Sequence, residues 1–489
     1  MSTVVLHTDQ SLSPWWGRAV AVVMVIGFAA LITLSIRAYE DAPPIPARVL
    51  APDGTLIFSS EDVANGQAVF LKYGLMNNGT IWGHGGMLGP DFSAQTLHNL
   101  GLFHAERIAQ ARYSTPYADL GDSARRAVDG AVAAEFKHNT YDPGTGVLTL
   151  PEDCMDAFQA EVGYWTEYFR HPATSGGLAR DAVSNPEELR ALTAFFMWTA
   201  WAAAAERPGY GHSYTNNFPY DPLVGNHPTG ATVLWSAVSL LFLLGGTGIV
   251  LLAFGKFDYL GWHQDTGGVT TLPDRMAITP AQAATLKFML IAAALFLVQT
   301  LVGGAVAHYR AEPGDFYGFD LSAILPSNLL RGWHLQLAVF WVATAYVAGA
   351  LFVASALGGR DPKAQRPLVH GLFWALVIVV VGSLLGQWAG IKNQLGELWF
   401  WLGNQGWEYL EIGRFWQVLL AAGLLYWFAL VFRAVRPALD KPETKPFVVF
   451  FLIAAFAIPF FYLPAFFIGA KTHYSIVDVW RFWIIHLWV

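Results

Sequence analysis

Long apolar runs divide the chain into three parts. The first run covers residues 15–36, with Arg18 and Arg37 near its ends. From residue 38 to about 230, charged residues, Pro, Gly and Asn are frequent, and no run reaches the ~18 apolar residues that a spanning helix needs. Further apolar runs then follow closely, at 232–254, 284–307, 332–357, 370–391, 413–433 and 447–469, with another beginning near Val477. The pattern predicts seven complete membrane spans and the start of an eighth.

We therefore predict a mostly α-helical protein in three parts: an N-terminal segment with a membrane anchor (1–38), an extramembrane domain (39–230) and a polytopic transmembrane helical bundle (231–489). The first run is long for a signal peptide, and "IRAYEDAPP" after it has no Ala-x-Ala cleavage signal, so an uncleaved anchor is favoured. Within the extramembrane domain the pattern predicts helices at 61–73, 94–111, 123–137, 151–169 and 186–205.

The composition agrees with a membrane protein and narrows the classes of function. Hydrophobic residues make up 54% of the 489 residues and charged residues 13%, against about 25% charged in average soluble proteins. The net charge is −7 and no basic tract is present, which excludes nucleic acid as a partner. A single cysteine, Cys154, excludes an intramolecular disulfide framework and a cluster held by several thiolates.

Lys and Arg in the short loops predict the orientation, because cytoplasmic loops carry an excess of these residues. One set of loops holds nine: Lys256, Arg275, Arg360, Lys363, Arg366, Arg433, Arg436, Lys441 and Lys445. The other holds six: Arg310, Arg331, Lys392, Arg414, Lys471 and Arg481. The first set is predicted to be cytoplasmic, so the extramembrane domain and the loops at 308–331, 392–412 and 470–477 face the periplasm.

His334 and His486 lie in predicted spans and are functional candidates, because ionisable groups are expensive at membrane depth. His334, in "RGWHLQLAVFW", lies in the first turn of a span, and neutral imidazole suits haem iron. His486, in "RFWIIHLWV", lies two turns into the last run and is a second candidate metal ligand. The alternatives are an interfacial hydrogen-bonded histidine for His334 and a packed core histidine for His486.

Carboxylates near the membrane surface form two further candidate sites. In "WLGNQGWEYLEIGRFW", Glu408 and Glu411 are three residues apart, so on a helix they would share a face beside Arg414. Such a pair suits cation binding or proton transfer, with an interfacial salt-bridge cluster as the alternative. In "HYRAEPGDFYGFD", His308, Glu312 and Phe316 repeat every four residues. An imidazole, a carboxylate and aromatic rings suit a quinol head group, with ordinary interface anchoring as the alternative.

The segment "FLKYGLMNNGTIWGHGGMLGPDF" (70–92) is patterned like a haem c attachment site without its chemistry. Leu75 and Asn78 stand where the two thioether cysteines would be, and Gly79 stands at the position of the iron-ligating histidine. No haem c is therefore expected. We expect side chains to fill the cavity instead, since an empty one would cost several kcal/mol; the expected residues are Leu75, Met76, Trp82 and Met87.

Taken together, these segments resemble the quinol-dependent nitric oxide reductases, single-chain members of the haem–copper oxidase superfamily. "GQAVFLKYG" and "GHGGMLGPDF" are similar to a small cytochrome c subunit fused to the N-terminus with its haem site lost. "ERPGYGHSYTNNFPYDPLVGNHPTG" (206–230) is similar to the family's signature before the catalytic bundle. "RGWHLQL", "GNQGWEYLEIGRFWQ" and "HLWV" match the bundle itself.

The resemblance implies haem b, haem b3 and a non-haem iron, FeB, as cofactors. It makes His334 an axial ligand of the low-spin haem b and His486 the first of three FeB histidines. Glu408 matches a carboxylate that binds calcium in the cytochrome c-dependent branch, which makes calcium a candidate ligand. Glu411 matches a neighbouring carboxylate implicated in proton delivery. The quinol, ubiquinol or menaquinol, would bind at His308, Glu312 and Phe316.

The implied activity is the reduction of nitric oxide to nitrous oxide during denitrification, in the bacterial cytoplasmic membrane. Further metal ligands are expected beyond Val489, so we expect residues 1–489 to be part of a longer protein and inactive by themselves. The alternatives are a quinol-oxidising oxygen reductase of the same superfamily, a membrane transporter, and a non-enzymatic sensor. The sequence leaves open which quinol is used and whether the protein forms a homodimer.

Overall fold

A computed structural model describes residues 14–257, 278–442 and 445–488. Short 3₁₀ turns connect many of its α-helices. The described helices are α1 Pro14–Glu40, α2 Ser60–Lys72, α3 Phe92–Tyr113, α4 Asp122–Lys137, α5 Cys154–Tyr168, α6 Pro186–Ala204, α7 Gly230–Phe257, α8 Pro280–Ala311, α9 Ser327–Gly358, α10 Gln365–Ile391, α11 Trp399–Leu402, α12 Arg414–Val435, α13 Lys445–Tyr462 and α14 Tyr474–Trp488.

Seven helices of the described part are long and apolar enough to cross a membrane, in agreement with the seven complete spans predicted. They are α1, α7, α8, α9, α10, α12 with the turn that follows it, and α13 with the turn that follows it. Helix α14 begins at Tyr474, close to the predicted start of the eighth span. Arg275, one of the charges used for the orientation, lies outside the described residues.

The five helices predicted in the extramembrane domain are confirmed as α2 to α6, and side-chain caps explain where α2, α3 and α6 begin. Ser59 and Asp62 form a reciprocal capping box at the start of α2. Asp91 caps α3, which starts at Phe92, two residues earlier than predicted. The domain also contains strands that the pattern did not predict: β1 Arg48–Leu50, β2 Leu56–Ser59, β3 Thr80–Ile81, β4 His84–Gly85, β5 Tyr141–Asp142 and β6 Val147–Thr149. Four of them form a small sheet in the order β2–β1–β6–β5, and β3 pairs with β4 in a second sheet.

Aromatic side chains fill the core of the extramembrane domain. Phe92 stacks on Phe196 with ring centroids 4.8 Å apart, and Trp165 packs against both rings. Leu75 and Met76 are fully buried in this core, as expected. The expectation for Met87 was wrong, because 75% of it is exposed.

The extramembrane domain lies directly on one end of the bundle. Asn328 Nδ2, at the start of α9, donates a hydrogen bond to the carbonyl of Tyr73 at 2.7 Å. Gln67 Nε2 donates to the carbonyls of Ala470 and Thr472, both at 2.8 Å. The domain therefore contacts the bundle on the face that carries the loops predicted to lie beside it.

Candidate functional site

A buried cluster of charges lies where the extramembrane domain meets the bundle, with Glu408 at its centre. Oε2 of Glu408 accepts a hydrogen bond from Nη1 of Arg481 at 2.7 Å, and Oε1 accepts one from Arg331. Arg481 also donates to Asp478, whose other carboxylate oxygen lies 2.9 Å from Nδ1 of His84. The cluster thus joins α9, α14 and the extramembrane domain through the carboxylates of Glu408 and Asp478.

The backbone that carries Glu408 is a loop, and the helix assumed for the two glutamates was wrong. Tyr409 and Gly406 have φ angles of +68° and +69°, which break any helix between α11 and α12. A Cβ at Gly406 would lie 2.3 Å from the carbonyl oxygen of Leu71, so only glycine allows this close approach. Asn404 closes the turn by accepting from the Gly406 N–H at 3.1 Å.

Arg414, expected beside the glutamates, pairs with other groups. Its guanidinium donates to the carbonyl of Ala465 at 2.9 Å and also to the carbonyl of Ile468, so it fastens α12 to the segment after α13. Arg331 and Arg481 are the actual partners of Glu408, and sequence reasoning did not assign them this role. The sequence does contain one indication of this pairing: a guanidinium group near an apolar helix is costly to bury, so it requires a nearby carboxylate.

Glu411 lies deeper than Glu408 and is completely buried. One of its carboxylate oxygens accepts a hydrogen bond from Gln336 Nε2 on α9, while Oε1 has no partner among the described residues. Burial raises the pKa of Glu411 to about 7, and the negative charge of Glu408 adds to the effect. A carboxyl group with this pKa can both hold and release a proton at neutral pH.

The described residues around Glu408 do not fit a calcium ion. Calcium takes six to eight oxygen ligands. Both carboxylate oxygens of Glu408 already accept from guanidinium groups, and the side-chain oxygen of Asn77 accepts from Arg331 Nη1 at 2.7 Å. Two positive charges therefore occupy the place where the calcium would have to bind.

His334 belongs to α9 and contacts Gln299 and Gly303 of α8. Its Nδ1–H donates to the carbonyl of Gln299 at 3.0 Å, and the Gln299 side-chain amide lies 3.2 Å from Nε2. A Cβ at Gly303 would come within 2.6 Å of the imidazole ring, so glycine makes room for it. An Nδ1–H held by a backbone carbonyl leaves the Nε2 lone pair for a metal, once the amide turns away, and His334 therefore fits an axial haem ligand.

The loop after α8 brings the three predicted quinol residues together. The His308 ring lies 4.3 Å from the ring of Phe316 and 4.5 Å from that of Tyr317. Nε2 of His308 lies 3.5 Å from a carboxylate oxygen of Glu312. The side chain of Glu312 is 65% exposed, whereas that of His308 is largely covered by the two aromatic rings.

His486 stands apart from these residues. Its ring stacks on Phe482 with centroids 3.6 Å apart, its Nδ1–H donates to the Phe482 carbonyl at 2.8 Å, and its side chain is exposed. Within the described ranges, no three His, Cys, Asp or Glu side chains come together to hold a metal. His486 can serve as one ligand of an iron, but these ranges supply no complete site.

The segment patterned like a haem c site is packed too tightly to hold a haem. Asn78 is buried; its Nδ2 donates to the carbonyl of Ser175 at 2.8 Å and its Oδ1 accepts from the Tyr168 hydroxyl at 3.1 Å. A Cβ at Gly79 would lie 2.2 Å from the carbonyl oxygen of Pro90 and 2.6 Å from the ring of Phe92. The position of the axial histidine thus has no room for any side chain, and these residues do not fit a haem c.

Two protein-family models match this chain, one in the extramembrane domain and one in the helical bundle. Residues 46–220 match the NorB cytochrome c-like domain of nitric oxide reductase, and residues 283–489 match the family of cytochrome c and quinol oxidase polypeptide I. A comparison with curated proteins finds no match. The chain belongs to the haem–copper oxidase superfamily and, within it, to the nitric oxide reductase type. It is accordingly a multi-pass membrane oxidoreductase of a family that uses haem and metal cofactors.

Proposed function

We propose that the protein reduces nitric oxide to nitrous oxide with electrons from a membrane quinol: 2 NO + 2 e⁻ + 2 H⁺ → N₂O + H₂O. The packing at Gly79 carries this proposal, because the cytochrome c-like domain has no room for the ligand that a haem c would need. Electrons then have to reach the bundle by another route. A quinol in the bilayer provides this route, because it can deliver electrons next to the start of the bundle. The cytochrome c-like domain then acts as a lid over Glu408.

The quinol head group binds at the loop after α8. His308 and Glu312 lie 3.5 Å apart and are two bases able to accept the two phenolic protons of a quinol. The ring of Phe316 offers a flat apolar surface beside the imidazole. Binding requires Phe316 or Tyr317 to move, since their rings now cover His308.

His334 is proposed as one axial ligand of a low-spin haem b, and His486 as one ligand of the non-haem iron FeB. When bound, haem b, haem b3 and FeB supply the electron transfer and hold two nitric oxide molecules close together. The described residues hold no group of three or more His, Cys, Asp or Glu side chains that could bind a metal, so His486 is proposed as a single ligand only.

Glu411 is proposed as the group that holds a proton for the reaction. Its pKa of about 7 lets it donate and be reloaded at neutral pH. Arg331 and Arg481 both donate hydrogen bonds to the Glu408 carboxylate beside it, which places two positive charges next to the two glutamates. The loop with both glutamates lies under the extramembrane domain, so protons would arrive from that side, proposed to be the periplasmic side of a bacterial cytoplasmic membrane.

Gas measurements with the full protein in membranes test the proposal. Addition of a short-chain quinol should start consumption of nitric oxide and yield one nitrous oxide for two nitric oxide molecules. His308→Leu should lower the quinol-driven rate while a rate driven by dithionite stays unchanged. Quinol-driven oxygen consumption without nitric oxide consumption would instead identify an oxygen reductase, the closest alternative.

A further inference from the structure

A separate cavity of about 310 Å³ lies inside the extramembrane domain, between α3, α4, α6 and the β5–β6 hairpin. Its wall is mostly apolar, with Leu100, Phe136, Met197 and Trp201 among the lining side chains. A single water molecule needs about 30 Å³, and ligand pockets begin near 300 Å³. None of the residues of the haem c-like segment lines this cavity, so it is not the remnant of that site.

One end of the cavity carries a buried imidazole. His104 is 2% exposed, and its Nδ1 lies 3.0 Å from Oε1 of Glu135. Glu135 is also paired with Arg107 at 2.8 Å, and although burial acts in the opposite direction, His104 and Arg107 lower the pKa of this carboxyl. The carboxylate oxygen lies close to Nδ1 without forming an aligned hydrogen bond. Its negative charge favours the imidazole proton on Nδ1, which leaves the Nε2 lone pair as an acceptor.

Nε2 of His104 has a weak partner only. The thiol of Cys154 lies 4.0 Å from it, and burial raises the pKa of this thiol to about 12, so it stays protonated and behaves as a small apolar group. A buried imidazole nitrogen therefore lines an apolar cavity with its acceptor capacity largely unused. Burying such a group is costly unless a better hydrogen-bond donor reaches it.

These features select the class of ligand. An anion is disfavoured by the Glu135 carboxylate in the wall, and a cation finds no second carboxylate among the lining residues. A metal ion is disfavoured because His104, Glu135 and Cys154 do not form a metal-binding group in the described structure. We propose that this cavity binds a small neutral molecule with an apolar, ring-sized body and one hydroxyl group that donates to Nε2 of His104.

Two fluorinated probes test the site with the full protein in lipid nanodiscs, by ¹⁹F NMR titration against empty nanodiscs. The probe 4-fluorophenol carries the hydroxyl donor, and 4-fluorotoluene replaces it with a methyl group of similar size. The proposal predicts saturable binding of 4-fluorophenol and binding of 4-fluorotoluene that is roughly fivefold to tenfold weaker, the size of one lost hydrogen bond. Equal affinity for the two probes, or no saturable binding of 4-fluorophenol, would overturn it.

Variants on α3 locate the binding. His104→Leu removes the acceptor and should reduce the affinity for 4-fluorophenol by a similar factor. His98→Leu is the matched control, since His98 lies on the same helix, pairs with Asp221 at 2.9 Å and does not line the cavity. An unchanged affinity in folded His104→Leu contradicts the proposal, and if that variant does not fold, the probe pair on the unmodified protein decides.

Discussion

Glu408 accepts a hydrogen bond from Arg481 at 2.7 Å, although 73 positions separate the two residues in the sequence. Both residues are more than nine-tenths buried. The contact ties the loop before α12 to α14, and the second carboxylate oxygen is held by Arg331 from α9. Since α14 also carries His486, this ion pair connects the proposed proton site to the proposed iron ligand.

Replacing Arg481 with methionine should lower the free energy of unfolding by about 3 kcal/mol, because a buried carboxylate loses a charged partner. Denaturant titration of the purified protein measures this change. Lys471→Met is the control, since Lys471 is exposed and its loss should be nearly neutral. Adding Glu408→Gln to Arg481→Met should recover part of the loss; a double variant less stable than the sum of the single ones would show that the pair is not the cause.

Glu411→Gln should lower the rate of nitric oxide reduction about a hundredfold, the lower range for a lost proton-transferring group. Only the protonated form of Glu411 can donate a proton to the reaction, and its pKa is about 7. The rate of the unmodified protein should therefore fall as the pH rises through 7. The variant should lose this pH dependence. Glu397→Gln, in an exposed part of the preceding loop, is the control and should keep both rate and profile. A pH profile that survives in Glu411→Gln would remove Glu411 from the account.

Gly79→Ala should destabilise the extramembrane domain by about 1–3 kcal/mol, the usual cost of overpacking a core. The added Cβ would lie 2.2 Å from the carbonyl oxygen of Pro90. Gly130→Ala on α4 is the matched control, because nothing lies within 4 Å of its added Cβ and alanine favours a helix. Thermal unfolding followed by tryptophan fluorescence distinguishes the two; equal midpoints would show that the segment has more room than its packing indicates.

His84→Gln should reduce stability in acidic but not in alkaline solution. The hydrogen bond to Asp478 raises the pKa of His84 above its ordinary value of about 6.5. A raised pKa means that the stabilisation is complete below about pH 6.5 and disappears as the pH rises through the folded-state value. Unfolding midpoints of both proteins across pH 5.5 to 8.5 measure the difference. The same substitution in an Asp478→Asn background should have no pH-dependent effect, and a persisting effect would assign the titration to another group.

The membrane spans and the extramembrane helices were predictable from sequence because each depends on local pattern. An apolar run of spanning length has few alternatives to a helix, and residues such as Asp91 mark a helix start within a few positions. The proximity of His308, Glu312 and Phe316 was also predictable, because His308 lies in the last turn of α8 and the chain folds back on it directly afterwards.

The charged cluster was not predictable in the same way. Spacing suggested a shared helix face for Glu408 and Glu411, but the left-handed conformation of Tyr409 turns the chain, and no local pattern signals it. The partners of Glu408 come from α9 and α14, so they depend on how distant helices pack. Met87 was misjudged for a related reason: its hydrophobicity favours burial, while the path of the loop leaves it exposed.

The most direct test is to determine the haem type and the electron donor of the full protein as purified from its native membrane. We expect a pyridine haemochrome spectrum of haem b without haem c, and nitric oxide consumption that starts with quinol but not with reduced cytochrome c. A haem c signal, or turnover supported by cytochrome c alone, would contradict the role assigned to the packed segment around Gly79.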